Sequence, residues 1–349
     1  MATARARPQR GAHGVGLNAG EAPREHNASR RWTAVREGGV AVDYLDQMAA
    51  LVGGAQICTA SIRLFLCTDD GDAMVDGSGS PWRLPGGDLG VGEGFRECAT
   101  RIARTLGIEV DALRSAGTVG AVLSEDAGGL VRYDLLTVIT GSLRTGACGR
   151  VATASMDRLL TVADERTRRI LEACPSRGEP PYFDPPTLRD HREGVSYWRV
   201  VRRLIGAGTC LILPAVAVLM VTRDGRVVLV RSHEHDVWMI PGGIIEFGES
   251  IADAVVREAR EETGLLVTPQ RLTGCYSGEP FLARYRNGDV VQIASFPCVA
   301  RIDGGTLRTT DSAQIRDVDT FSPTDLPAMY PHWRRVLTDA LAGRFGTVV

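Results

Sequence analysis

Three glutamates hold the chemistry open to this sequence. Glu258, Glu261 and Glu262 stand at offsets of zero, three and four. On an α-helix those offsets share one face. Like charges on one face repel, so stability alone does not account for them. A hard divalent cation resolves the conflict, because Mg²⁺ or Mn²⁺ binds carboxylate oxygen. The residues around the glutamates are equally ordered. Gly243 is followed by five residues and Glu249. Seven more lead to Arg257-Glu258-Ala259-Arg260-Glu261-Glu262-Thr263-Gly264-Leu265. A merely solvated acidic helix needs no glycine lead-in, no preceding arginine and no closing glycine at these distances.

Gly243, Glu249, Arg257, Glu258, Glu261, Glu262, Gly264 and Leu265 fill the pattern G-x5-E-x7-R-E-U-x-E-E-x-G-U, where U is a bulky apolar residue. On these residues the sequence resembles the Nudix hydrolase family, with Ala259 as the one small residue at a U position. The approach Trp238-Met239-Ile240-Pro241-Gly242 is similar to that of many members. The resemblance implies metal-dependent hydrolysis of a diphosphate bond in a nucleoside-diphosphate-linked or related small molecule, with Mg²⁺ (or Mn²⁺) as cofactor. It implies Glu258, Glu261, Glu262 and the Gly243 carbonyl as metal ligands. Glu258, Glu261, Arg257 and Glu249 form the implied catalytic group, with Arg257 orienting a glutamate and Glu249 placed at the positive start of the helix. Metal ions neutralise phosphate oxygens, lower the pKa of water and hold reacting groups in line.

Beyond this box the signals thin. Arg231, Tyr276, Arg284 and Tyr285 are candidates for stacking on a base or binding phosphate. Family members place the general base on a box glutamate or on an acidic residue of a distant loop. Asp317, expected in a loop after the late strands, is the candidate outside the box. Two other readings stay open: a nucleotide-binding sensor on the same scaffold, and a biosynthetic enzyme acting on a non-nucleotide diphosphate.

The glutamates need a helix, and the sequence punctuates one over about 250–263, closed by Gly264. An amphipathic helix is expected over Tyr197–Ile205, strands over Ala215–Val221, Val227–Val230 and Val290–Val299, and a last helix over about Pro331–Ala342. The fold class is α/β: two tandem Nudix-type α/β/α sandwich domains with mixed sheets, the specific form being supplied by the resemblance.

The tandem reading comes from self-similarity. Leu51-Val52-Gly53 matches Leu204-Ile205-Gly206, Asp70-Gly71 matches Asp224-Gly225, and Pro85-Gly86-Gly87 matches Pro241-Gly242-Gly243. The first copy keeps Glu93 and Arg101 at the box spacing. It puts Ile102 where Glu258 stands and Thr105-Leu106 at the paired glutamates. An alkyl group and a hydroxyl do not replace carboxylates around Mg²⁺. Residues 1–38 are expected to be a disordered tail, 39–174 a degenerate Nudix-like domain, 175–194 a Pro-rich linker and 195–349 the catalytic domain. Many Nudix proteins pair as homodimers. The two copies are therefore expected to form an intramolecular pseudo-dimer, with a homodimer of whole chains as a further option.

Composition sets the outer bounds. The chain has 349 residues, 44% of them hydrophobic, with a formal net charge of −2. That charge exerts no general pull on nucleic acid or anionic membrane. No apolar run reaches the ~20 residues of a membrane helix, and a cytoplasmic location is the default expectation. All 40 residues counted as Lys+Arg are arginine, which removes Schiff-base and P-loop lysine chemistry. The 8 cysteines form no Cys-x-x-Cys pair and are expected reduced.

Overall fold

The computed structural model describes residues 44–52, 54–67, 72–75, 84–123, 130–144, 152–172, 180–187, 196–233, 237–285, 287–308 and 315–349. The expected tail 1–38 lies outside them. The first half runs α1 (Tyr44–Val52), β1 (Gln56–Leu66), β2 (Ala73–Val75), β3 (Gly86–Asp88), α2 (Phe95–Thr105), β4 (Glu109–Leu123), β5 (Val131–Arg144), β6 (Ala152–Ala154), α3 (Met156–Val162), α4 (Glu165–Glu172) and β7 (Tyr182–Phe183). The second runs α5 (Tyr197–Ile205), β8 (Cys210–Met220), β9 (Val227–Ser232), β10 (Trp238–Met239), β11 (Gly242–Ile244), α6 (Ile251–Thr263), β12 (Leu265–Leu272), β13 (Gly274–Cys275), a 3₁₀ turn (Glu279–Phe281), β14 (Leu282–Arg284), β15 (Val290–Gly305), β16 (Ile315–Phe321), α7 (Pro331–Leu341) and β17 (Thr347–Val348).

Local chemistry explains the elements that place the box. In β8 the run Ile212-Leu213-Pro214-Ala215-Val216-Ala217-Val218-Leu219-Met220 is buried throughout. That is the pattern of a central strand covered on both faces. Helix α6 starts at Ser250, whose side chain accepts from the Asp253 amide. It ends at Gly264 in the left-handed conformation, φ +73°.

Both halves build the same sheet. The first orders its strands β3-β1-β5-β4, with β7 at the edge; the second orders them β11-β8-β15-β12. In each, the central pair is parallel (β1 with β5, β8 with β15) and both flanking pairs are antiparallel. Registers correspond as well. Ile62 pairs with Gly87 and Cys58 with Tyr133 in the first sheet; Val216 pairs with Gly243 and Ile212 with Gln292 in the second.

The halves are welded together. One buried core cluster takes Ile62, Leu64, Phe95 and Ile139 from the first half and Val216, Val255, Phe296 and Cys298 from the second. Phe95 and Phe296 meet edge-on with centroids 5.7 Å apart. Such a pair adds about 0.5–1.5 kcal/mol to its burial. The C-terminal residue joins in: the Phe95 amide donates to the Val349 carbonyl at 2.9 Å.

One expectation gains detail and one is corrected. The expected Pro-rich linker 175–194 is described over residues 180–187, which pack on both halves. Its Tyr182–Phe183 adds a parallel strand beside β4, and Thr187 bonds to Asp253 of α6. Asp317 is not in a loop. It lies on β16, which pairs antiparallel with β9, and β9 leaves the main sheet to join β10 and β16. The Val221–Val227 bridge still closes the Asp-Gly hairpin ahead of it.

Candidate active site

Arg257 organises the site from the second turn of α6. Its Nε and Nη2 donate to the two oxygens of Glu249 at 2.7 and 2.8 Å, and Nη2 also donates to the Ile244 carbonyl at 3.0 Å. Its Nη1 donates to Glu258 Oε1 at 2.6 Å and reaches Glu261 Oε2 at 3.4 Å. Bidentate pairing of this kind fixes geometry as well as charge. Glu249 is 1% exposed, and its Oε2 also accepts from the Glu246 amide at 2.9 Å. The loop between β11 and α6 is thereby closed on itself.

Glu258 and Glu262 lie one turn apart and are both buried. Burial, against the pull of Arg257, pushes the Glu258 carboxyl up to about 7. Burial and then the neighbouring Glu258 push Glu262 well above the usual carboxylate range. Glu262 Oε2 accepts from the Gly242 amide at 2.8 Å. Gly243 faces this pair so closely that a Cβ there would overlap the Glu258 carboxylate. Any side chain at 243 would displace that carboxylate. Glu261 differs: its side chain is 41% exposed.

Among the described residues no three His, Cys, Asp or Glu side chains converge as a metal centre by themselves. The donor chemistry nevertheless suits a hard divalent ion. It offers two buried carboxylates one turn apart, pressed against a glycine backbone, with one guanidinium among Glu249, Glu258 and Glu261. Carboxylate and carbonyl oxygen are what Mg²⁺ and Mn²⁺ accept.

The residues expected outside the box scatter. Tyr276 is wholly buried, and its hydroxyl donates to Asp339 at 3.2 Å. Tyr285 is 6% exposed within the shared core cluster. Neither ring presents a face for stacking, and both expectations are corrected. Arg284 is exposed on β14. Arg231 and Asp317 are cross-strand partners, joined by bonds of 2.9 and 2.6 Å to Asp317 Oδ2. That pairing holds the Asp317 carboxyl below the usual range. A carboxylate so stabilised is a weaker base than Glu258 or Glu262. Arg231 also lies over the Trp238 ring at 5.2 Å.

The first half repeats the frame without the acids. Arg101 Nε and Nη2 donate to Glu93 at 2.7 and 2.9 Å, and Nη2 donates to the Asp88 carbonyl at 2.9 Å. Glu93 Oε2 accepts from the Gly90 amide at 3.0 Å. This is the Arg257–Glu249–Ile244–Glu246 arrangement, bond for bond. In place of Glu258 stands buried Ile102, whose Cδ1 would lie 3.5 Å from a Cβ on Gly87.

Sequence reasoning missed the residues that reach across the halves. The Tyr133 hydroxyl donates to the Glu249 carbonyl at 2.8 Å, and Thr187 donates through its amide and hydroxyl to Asp253 at 2.8 and 2.7 Å. No local pattern marks them. Only aligning β1 with β8 and β5 with β15 would have drawn Tyr133 out.

The sequence profile of the NUDIX domain matches residues 211–341. The chain is 30% identical over 137 residues to the ADP-ribose pyrophosphatase of Methanocaldococcus jannaschii, covering 38% of this chain and 76% of that protein. It is 40% identical over 62 residues to a MutT-like protein of Streptomyces ambofaciens, covering 18% of this chain and 40% of that one. Among solved structures, a NUDIX hydrolase from Nitrosomonas europaea is 24% identical, with a TM-score of 0.32, covering 39% of this chain and 92% of that one.

Proposed function

The chain belongs to the Nudix family, and we propose that its second half, residues 195–349, hydrolyses the diphosphate bond of a nucleoside-diphosphate-linked small molecule with the help of Mg²⁺ or Mn²⁺. The observation that carries this reading is the buried Glu258–Glu262 pair. Two carboxylates pushed upward by burial, with Glu258 raising Glu262 further, are costly in a folded protein unless a cation joins them. Glu258, Glu262 and the Gly243 carbonyl would hold that ion. When bound, it supplies neutralisation of phosphate oxygen and activation of water.

The chain's own groups do the rest. Arg257 keeps Glu258 in place and draws Glu249 against the loop, so the loop backbone stays fixed beneath the diphosphate. Glu261 reaches solvent from the same helix face and is the carboxylate placed to take a proton from an attacking water. Arg231 and Arg284 are the cationic candidates for phosphate. Asp317 serves by aiming Arg231 rather than as a base.

The first half is a duplicated domain that has lost the acids and kept the frame. Its role is that of a covalently attached second subunit. The first substrate to test is ADP-ribose, the substrate named in the M. jannaschii relative. UDP-sugars, dinucleoside polyphosphates and nucleoside triphosphates complete the panel, each with Mg²⁺, with Mn²⁺ and with EDTA. The expected result is metal-dependent release of a monophosphate product, lost in Glu262→Gln and kept within about twofold in Glu93→Gln. Binding without turnover across the whole panel would favour a sensor instead.

A further inference from the structure

Two symmetry-related bonds join the halves, and they do unequal work. By strand register Tyr133 on β5 and Gln292 on β15 are equivalent positions, paired with Cys58 and Ile212. Each reaches into the other half at the same place. The Tyr133 hydroxyl donates to the carbonyl of Glu249 at 2.8 Å. Gln292 Nε2 donates to the carbonyl of Glu93 at 2.9 Å and to that of Gly90 at 3.2 Å, and its Oε1 accepts from the Gly92 amide. Glu249 and Glu93 are themselves equivalent, each six residues beyond the glycine of its box. The clasp is reciprocal, but only one of its two targets leads to carboxylates that could bind an ion.

We propose that Tyr133, in the half without metal-ligand carboxylates, is a positioning residue for the metal site of the other half. The proposal rests on the functional reading above. The chain of contacts is short. Tyr133 holds the Glu249 backbone; Glu249 grips Arg257 through both carboxylate oxygens; Arg257 braces Glu258. The Tyr133 ring also packs on Phe247 of the same loop, centroids 5.8 Å apart. Cys58, next to Tyr133 in the sheet, directs its Sγ at the Ile245 carbonyl at 3.8 Å. Carbonyls at both ends of the loop between β11 and α6 are thus met by donors from the first half.

The physical consequence follows from burial. Glu249 is almost wholly buried, and a buried carbonyl that loses its donor must find another or move. Removing the hydroxyl with Tyr133→Phe keeps the ring and its packing. What changes is the anchoring of the loop, and through Glu249 and Arg257 the aim of Glu258. Removing Gln292 disturbs a loop that leads only to Glu93, Arg101 and Ile102.

The test compares full-length wild type, Tyr133→Phe and Gln292→Leu by three readouts: Mn²⁺ affinity from titration, amide hydrogen exchange, and melting temperature. Tyr133→Phe is expected to speed exchange within residues 244–250 and to weaken Mn²⁺ binding about tenfold, which is about 1.4 kcal/mol. Gln292→Leu is expected to speed exchange within residues 90–95 and to lower the melting temperature at least as much, while Mn²⁺ affinity stays within about twofold. The proposal is overturned if Tyr133→Phe binds Mn²⁺ like wild type, or if both variants weaken it equally, which is the signature of general loosening. A wild-type chain that binds no Mn²⁺ would remove the metal reading and this proposal together, and that outcome shows in the control alone.

Discussion

At the scale of single residues, the site is defined by what Gly243 and Glu258 deny each other. A Cβ on Gly243 would occupy the space of the Glu258 carboxylate, whereas a Cβ on Gly87 meets Ile102 Cδ1 at 3.5 Å, an ordinary contact. Gly243→Ala is therefore expected to abolish turnover, a fall of at least about 100-fold, or about 2.7 kcal/mol of barrier. Gly87→Ala should leave turnover within about twofold. Equal losses in the two variants would contradict the assignment of the ion to one half.

The same carboxylates set a pH dependence of stability. Folded Glu258 keeps its proton up to about pH 7, while an unfolded chain releases it near the ordinary 4.5. Between these values the folded state binds more protons, so the metal-free protein loses stability as pH rises through the window. Glu262, raised in the same direction, adds to that loss. Denaturant unfolding in EDTA at pH 5 and pH 8 checks it. The expected result is lower stability at pH 8, with Mg²⁺ restoring most of the difference. Stability that rises from pH 5 to pH 8 in EDTA would contradict the raised carboxyls.

At the scale of elements, helix α6 was almost wholly legible beforehand, and its ends show why. Serine at its start and glycine at its end are local signals, and the structure places them at Ser250 and Gly264, one residue outside each end of Ile251–Thr263. Gly264→Ala puts a Cβ at φ +73° against the Thr306 carbonyl. It is expected to destabilise the protein by about 1–3 kcal/mol, read as a lowered denaturation midpoint. An unchanged midpoint would show that the helix end moves without cost.

Helix α5 was equally legible, from its apolar periodicity. What local signals left out are the elements that depend on partners far along the chain. Asp317 sits on a strand because β9 offers Arg231 as its cross-strand partner, 86 residues earlier, and Val230 as the partner of the next residue, Val318. Tyr276 and Tyr285, read as candidates for stacking on a base or binding phosphate, are buried by elements that no window around them contains. The repeat was visible as short matched words. The matching guanidinium forks on Glu93 and on Glu249 lie beyond what those words show.

At the scale of the whole molecule, the two halves share a core and are expected to unfold as one unit. Phe95 and Phe296 are both fully buried at the junction. Phe296→Ala should cost about 3–5 kcal/mol. The loss should appear as a single cooperative transition shifted to lower temperature, with no separate melting of either half. Two resolved transitions would show that the halves are independent and that the shared core is incidental. No described helix is long and apolar enough to cross a membrane. Function then reduces to one question: whether the frame that both halves keep serves an ion in the half that also keeps its acids.

Anomalous scattering from crystals grown with Mn²⁺ answers that question most directly. We expect a peak within bonding distance of Glu258, Glu262 and the Gly243 carbonyl, and no peak beside Ile102 at the matching place in the first half. A peak at neither place, at Mn²⁺ concentrations that support turnover, would contradict the account, as would a peak only in the first half.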